Sequence, residues 1–337
     1  MLLLIPMLLM LGTPASRVQL KPLDFPAVEH PQAMVTSFEQ IESNNYHLFL
    51  LAGSSPFVVE LNEKREFVRQ IGGKGQGPGK LGNYGSSGLS VTEQGVFILS
   101  NHRGLVMNYY EQGKHMFDFQ LVSVPVLGFR STIFAASDQH IMTAGHPSQH
   151  HLAFAYNFGG KPEAKVGELL PMSRKDLAYN PALNDTHWLF DGQNWYCLFK
   201  FRPFLRIYSQ DLELIHDHII DGPEISNLEK AFFERAPKPN RVGKYRYPRG
   251  HFDNVKLYGN HLYFFAEQMF YQVDKQTGVV KNRTAIYLDD PKHPQITPDI
   301  NLRFSNFTFL NGQLILLDGS AEWLGRHFWT VDLPYRP

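Results

Sequence analysis

The chain has 337 residues with 32 Lys+Arg against 32 Asp+Glu, so its formal charge at neutral pH is zero. A hydrophobic share of 43% and a charged share of 19% exclude a disordered chain, and the lack of a basic excess speaks against nucleic-acid binding. A single cysteine, Cys197, excludes an internal disulfide framework and any multi-cysteine metal or iron–sulfur site.

Residues 1–11 read MLLLIPMLLML, an apolar run too short to cross a bilayer, which takes about 20 residues. Small residues at Thr13 and Ala15 follow it, as at a signal-peptidase site. The expectation is a signal peptide over residues 1–15 and an exported protein, periplasmic or extracellular, starting at Ser16. No later segment approaches 18 uninterrupted apolar residues, so no membrane span is expected.

A short apolar run preceded by turn residues recurs six times, beginning at Leu48, Val96, His140, Trp195, Leu262 and Leu314. The runs are rich in branched and aromatic residues, which suits strands buried on both faces. Asn44-Asn45, Gln94-Gly95, Asp138-Gln139, Asp191-Gly192, Gly259-Asn260 and Asn311-Gly312 precede them. These types tolerate the backbone of tight hairpins. Further strand candidates lie on either side of each run, and a more polar fourth strand closes each of the first five units. Four antiparallel strands repeated six times predict an all-β, six-bladed β-propeller, one domain over residues 16–337. The sixth unit lacks a fourth strand, while Val18–Phe25 (VQLKPLDF) belongs to no unit. An open ring would expose unpaired backbone. The N-terminal segment is therefore expected to form the outer strand of the last blade, against Phe328–Leu333.

Units four and five are separated by an insertion over 221–250, with an amphipathic stretch from Ile225 to Arg235. Smaller insertions cover 168–183 and 289–301. All three join an outer strand to the next inner strand, on the face that also carries the loops between second and third strands. A binding site is expected on that elaborated face.

Ile71-Gly72-Gly73-Lys74-Gly75-Gln76-Gly77-Pro78-Gly79-Lys80-Leu81 strongly resembles the inter-blade segment of NHL-type propellers, and Gln94 to Val106 resembles the body of the same repeat, with Ser100 where an aspartate is usual. The likeness covers one blade of about 50 residues. The whole chain is similar to TolB-like, exported six-bladed propellers of bacteria, many without an assigned activity. Gly77-Pro78-Gly79-Lys80-Leu81-Gly82 also fits G-x-G-x-x-G, but a strand rather than a helix is expected after it, which makes it a structural turn.

Candidate chemistry is sparse. Arg235 to His251 holds Arg235, Lys238, Arg241, Lys244, Arg246 and Arg249 among Tyr245 and Tyr247, with no acid. Guanidinium forks recognise carboxylate, sulfate or phosphate, and tyrosine rings stack on sugars. With Arg174 and Arg303 from the other insertions, Lys244, Tyr245, Arg246, Tyr247 and Arg249 are the expected contacts. They suit a partner protein or an anionic small molecule or glycan. The primary reading is an exported, monomeric binding or scaffold module without a cofactor.

The alternative is an NHL-like hydrolase or lyase with Zn²⁺ or Ca²⁺ at the axis; the resemblance implies such ions in some relatives. His102 and His146, with Asp253 and Glu267, would be its ligands here. His150, His151 and His327 are further loop histidines; the first two, adjacent on an extended strand, would point to opposite sides. Glu42, Glu93, Asp138 and Asp191 are expected in hairpin turns on the opposite face. Cys197 reads as a buried small hydrophobe. Asn184, Asn282 and Asn306 head glycosylation sequons, relevant only in a eukaryotic secretory route.

Overall fold

A computed structural model describes residues 16–23, 38–52, 56–82, 86–101, 105–121, 134–144, 150–171, 183–222, 225, 230, 252, 254–266, 269–287, 304–318, 328–335 and 337. Within them, β1 (Ser16–Gln19) and β2 (Lys21–Pro22) precede six antiparallel units. Blade 1 comprises β3 (Phe38–Ser43), β4 (His47–Ala52), β5 (Phe57–Asn62) and β6 (Phe67–Gly72). Blade 2 follows with β7 (Ser86–Val91), β8 (Val96–Asn101), β9 (Leu105–Glu111) and β10 (Lys114–Gln120). Blade 3 holds β11 (Phe134–Ala136), β12 (Ile141–Ala144), β13 (His151–Tyr156) and β14 (Pro162–Glu168). Blade 4 has β15 (Thr186–Phe190), β16 (Trp195–Phe199), β17 (Phe204–Tyr208) and β18 (Leu214–Ile219). Blade 5 has β19 (Val255–Tyr258), β20 (His261–Ala266), β21 (Met269–Asp274) and β22 (Val280–Tyr287). Blade 6 has β23 (Phe304–Leu310), β24 (Gln313–Asp318) and β25 (Phe328–Val331).

The six runs read from the sequence are the second strands, and the side-chain period of two explains why they are apolar throughout. In β24, Leu314 and Leu316 pack toward blade 5, whereas Ile315 and Leu317 pack toward blade 1. In β20, Leu262, Phe264 and Ala266 join the core with blade 4, and Tyr263 and Phe265 that with blade 6. Successive blades thus enclose one apolar cluster at each of the six junctions, including that between blades 6 and 1. Each fully buried Leu or Phe contributes roughly 1.5–3 kcal/mol. Hydrophobic burial therefore holds the ring, and the outer strands, with one face in solvent, stay polar.

Closure by the N-terminal segment occurs, in a form divided between two blades. Lys21 and Pro22 pair antiparallel with Thr330 and Trp329, and the Leu23 amide donates to the Phe328 carbonyl at 3.1 Å. Val18 and Gln19, expected on the last blade too, instead pair parallel with Ile286 and Tyr287 of blade 5. Leu20 lies between the two pairings and is buried in the core of blades 5 and 6. Pro22 stands where its missing amide costs no ladder bond, at the outer edge of blade 6.

The glycine run behaves as a turn. Gly72, Gly73, Gly75, Gly79 and Gly82 all have positive φ, and Gly75 bridges Gly82 before the chain enters β7, a strand. Among the described residues a strand, not a helix, follows the run, so the G-x-G-x-x-G match lacks its dinucleotide context.

Candidate functional site

The inner strands β3, β7, β11, β15, β19 and β23 surround the axis, each pairing with the second strand of its blade in a common register. Residues opposite the second position of each run, or the third in blade 3, form one ring: Glu42, Ser90, Ala135, Leu189, Lys256 and Thr308. Opposite the fourth position are Gln40, Gly88, His187 and Asn306. Much of each ring is thus polar.

The first ring is tied across the molecule. Lys256 of blade 5 donates to Glu42 of blade 1, spanning the front of blade 6, and both side chains are largely buried. Gln40 Nε2 donates to Glu42 Oε1 at 2.7 Å. The same amide group straddles the open edge of β7: Nε2 donates to the Leu89 carbonyl at 2.7 Å, and Oε1 accepts from the Leu89 amide at 2.9 Å. Side chains treat two other inner edges likewise. Ser43 donates to the Phe309 carbonyl at 2.6 Å, and Ser90 accepts from the Ala136 amide at 3.2 Å. An inner strand has no next strand to satisfy its outward amides and carbonyls, and these groups replace one.

Three adjacent inner strands carry a register shift at one place, between Phe38 and Gln40, Ser86 and Gly88, and Phe304 and Asn306. Bulges of this kind re-aim side chains. The first places Glu39, whose carboxyl is pushed above its ordinary value by loss of solvent.

At the second ring, His187 is buried and its Nε2 donates to the Phe252 carbonyl, which fixes the proton on that nitrogen. Burial above all, with repulsion from Lys200 and Lys256, holds its pKa well below the ordinary imidazole value. The ring is therefore neutral and a structural donor. Lys200 pairs with Asp185 at 2.9 Å beside it. Between the turns of blades 4 and 5, Asp191 accepts from Lys275 at 2.8 Å and from the Tyr196 hydroxyl at 2.9 Å. Burial raises the Asp191 pKa, but the donors from Lys275, Asn194, Gln193 and Tyr196 outweigh it and hold it low. Cys197 is buried in the core of blades 3 and 4, and burial pushes its thiol far up, so it stays protonated.

Of the residues expected to bind a ligand, Arg174, Lys244, Tyr245, Arg246, Tyr247, Arg249 and Arg303 lie outside the described residues. So do His102, His146, His327, Asp253 and Glu267. Several other expectations are corrected. Glu42 is not in a hairpin turn but one residue inside the end of β3, where pairing with Phe49 aims it at the axis. His150 does not extend the strand of His151: its φ is +63° and it belongs to the turn before β13. Of the sequon asparagines, which matter only in a eukaryotic secretory route, Asn184 is buried and accepts from the Leu170 amide at 2.8 Å, and Asn306 is buried too. The Lys256–Glu42 tie escaped sequence reading because its partners are 214 residues apart. The available signal was polar residues recurring at one register position of the inner strands.

Among the described residues, no three His, Cys, Asp or Glu side chains come together as a metal site would require. Glu42, the ring carboxylate, is engaged by Lys256, so the described axial layers do not fit a Zn²⁺ or Ca²⁺ ion. No described helix is long and apolar enough to cross a membrane.

No protein-family model matches the chain, and no curated protein matches it. Among solved structures, it is similar to a protein of Bacteroides fragilis named as exported, at 12% identity and a TM-score of 0.52, with 95% of each chain covered. It is also similar to the WD40 repeats of RRP9, at 9% identity, 85% and 74% coverage and a TM-score of 0.49. The β-propeller domain of Cps50 (Swd1) from Myceliophteria thermophila gives 10%, 88% and 96%, and 0.46. At these identities the first likeness speaks for the fold alone.

Proposed function

We propose that the chain is an exported, monomeric binding module that recognises a partner protein or an anionic small molecule or glycan through the face carrying its long connections. The observation that supports this most is the Lys256–Glu42 tie across the ring. Glu42 is engaged by Lys256, and Asp185 by Lys200. The one imidazole there is buried and neutral. Such an axis is a braced plug, which leaves recognition to the connections at the end of the ring. Among these, Arg235 to His251 brings six cationic side chains and no acid. The NHL-type and TolB-like resemblance fits this reading, its glycine run forming an inter-blade turn.

Two variants test it on immobilised heparin and on an immobilised acidic peptide. Arg246→Ala with Arg249→Ala should elute at markedly lower salt than the parent from the surface that retains it. Glu42→Gln with Lys256→Met, which keeps the bulk of the tie without its charges, should elute with the parent. Unchanged retention of the arginine variant on both surfaces would remove the proposal. One equivalent of tightly held Zn²⁺ or Ca²⁺ that persists in a His216→Ala, His218→Ala variant and is lost when His102 and His146 are replaced would instead support a hydrolase or lyase using His102, His146, Asp253 and Glu267.

A further inference from the structure

The outer strand of blade 4 differs from the rest of the rim. Leu214, Ile215 and Ile219 are 52%, 45% and 64% exposed, and between them stand His216, Asp217 and His218. Residues two apart on a strand share a face, so His216 and His218 project side by side. Their register partners are Ile207 and Leu205, members of the core between blades 4 and 5. Nothing ionisable therefore lies on the neighbouring strand beneath the two rings. The imidazoles stack with centroids 5.3 Å apart and planes 27° from parallel. Asp217 faces the other way and pairs with Arg206 at 3.0 Å.

We propose that His216 and His218 form a chelating site for a borderline divalent metal ion: Cu²⁺, Ni²⁺ or Zn²⁺. Two observations carry it independently. One is the His-x-His spacing on an extended strand, with His216 exposed and free to turn toward its neighbour. The other is the Nε2 of His218, which is buried and has no hydrogen-bond partner among the described residues. A buried polar nitrogen without a partner costs about 1–3 kcal/mol. A metal ion ligated by both imidazoles supplies that partner once the side chains rotate out of the stacked arrangement, because imidazole lone pairs lie in the ring planes. Gly278 in the turn of blade 5 packs against the base of His218: a β-carbon there would lie 3.1 Å from that of His218. Imidazole pairs suit Cu²⁺, Ni²⁺ and Zn²⁺ rather than Mg²⁺ or Ca²⁺. With two protein ligands, the remaining coordination positions stay open to water or to a donor group of another molecule.

The test is calorimetric titration of the tag-free full chain with Cu²⁺, then Ni²⁺ and Zn²⁺, at a pH of about 7.5. One equivalent of Cu²⁺ should bind, and His216→Ala should weaken it by at least the ~10–100-fold that loss of an outer-shell partner alone costs. His216 is exposed, so this variant should retain the circular dichroism spectrum of the parent. His150→Ala with His151→Ala controls for the other histidine pair and should bind like the parent. The proposal fails if the parent takes up no stoichiometric ion, or if His216→Ala binds as tightly as the parent.

Discussion

Blades 4 and 5 are neighbours with the same four-strand plan, yet their outer edges meet different fates. On blade 5, β22 receives β1 as a fifth, parallel strand, and Leu20 beyond it is buried against Trp329 and Ile286. On blade 4, β18 receives no fifth strand in the described structure and keeps Leu214, Ile215 and Ile219 in solvent. Edge strands normally carry charge or cover to discourage further pairing. In the covered blade that protection comes from the chain's own terminus, which also closes the ring. In the bare blade the only charged side chain of β18 is Asp217, and it is turned to Arg206. The inner edges teach the same lesson on a smaller scale: Gln40, Ser43 and Ser90 occupy backbone groups that a further strand would otherwise take.

The largest effect should come from removing the cover. Deleting residues 16–23 bares the edges of two blades. Leu20→Ala alone should cost about 2–5 kcal/mol as a large-to-small change in a core. Both are measured as denaturant midpoints, and a deletion as stable as the parent would break the comparison. Gln40→Ala comes next at about 1–3 kcal/mol, because both polar groups of Leu89 lose their partner at once; equal stability in the same measurement would mean that the inner edge needs no side-chain cover.

His187 gives a pH-dependent effect. Its folded pKa is depressed below the ordinary 6.5, so the unfolded chain binds the extra proton first. The stability it contributes is complete above about pH 6.5 and drains away as pH falls toward the folded value. His187→Gln keeps an N–H donor for the Phe252 carbonyl and does not titrate. Its unfolding free energy should decline less between pH 7 and pH 5 than the parent's, and parallel curves would refute the assignment. The smallest effect belongs to the bare edge. Ile215→Thr and Ile219→Thr should change stability by no more than about 0.5 kcal/mol, and a larger loss would show that β18 is covered in solution.

Much of the architecture was legible because it rests on local periodicity. Trp195 to Phe199 is apolar at every position, and only a strand packed on both faces uses such a run. The closing strand was legible from an arithmetic gap, a sixth unit one strand short. Its division between blades was not, because pairing Val18 with Ile286 rather than with blade 6 depends on how far apart two folded edges stand. Glu42 shows the limit at the candidate site: beside Asn44 and Asn45 it looks like a turn carboxylate, and only the ring reveals Lys256 in front of it.

The order of apolar and turn residues along the chain thus determined six four-stranded units and the need for a strand from the other terminus. These follow from interactions between residues close in sequence, where alternation and turn chemistry act. The tertiary structure alone decided which polar residues meet at the axis, which edge remains bare, and that His187 is neutral. Each of those depends on distances between residues far apart in the chain, on which Coulomb interaction and desolvation depend and which no local pattern encodes.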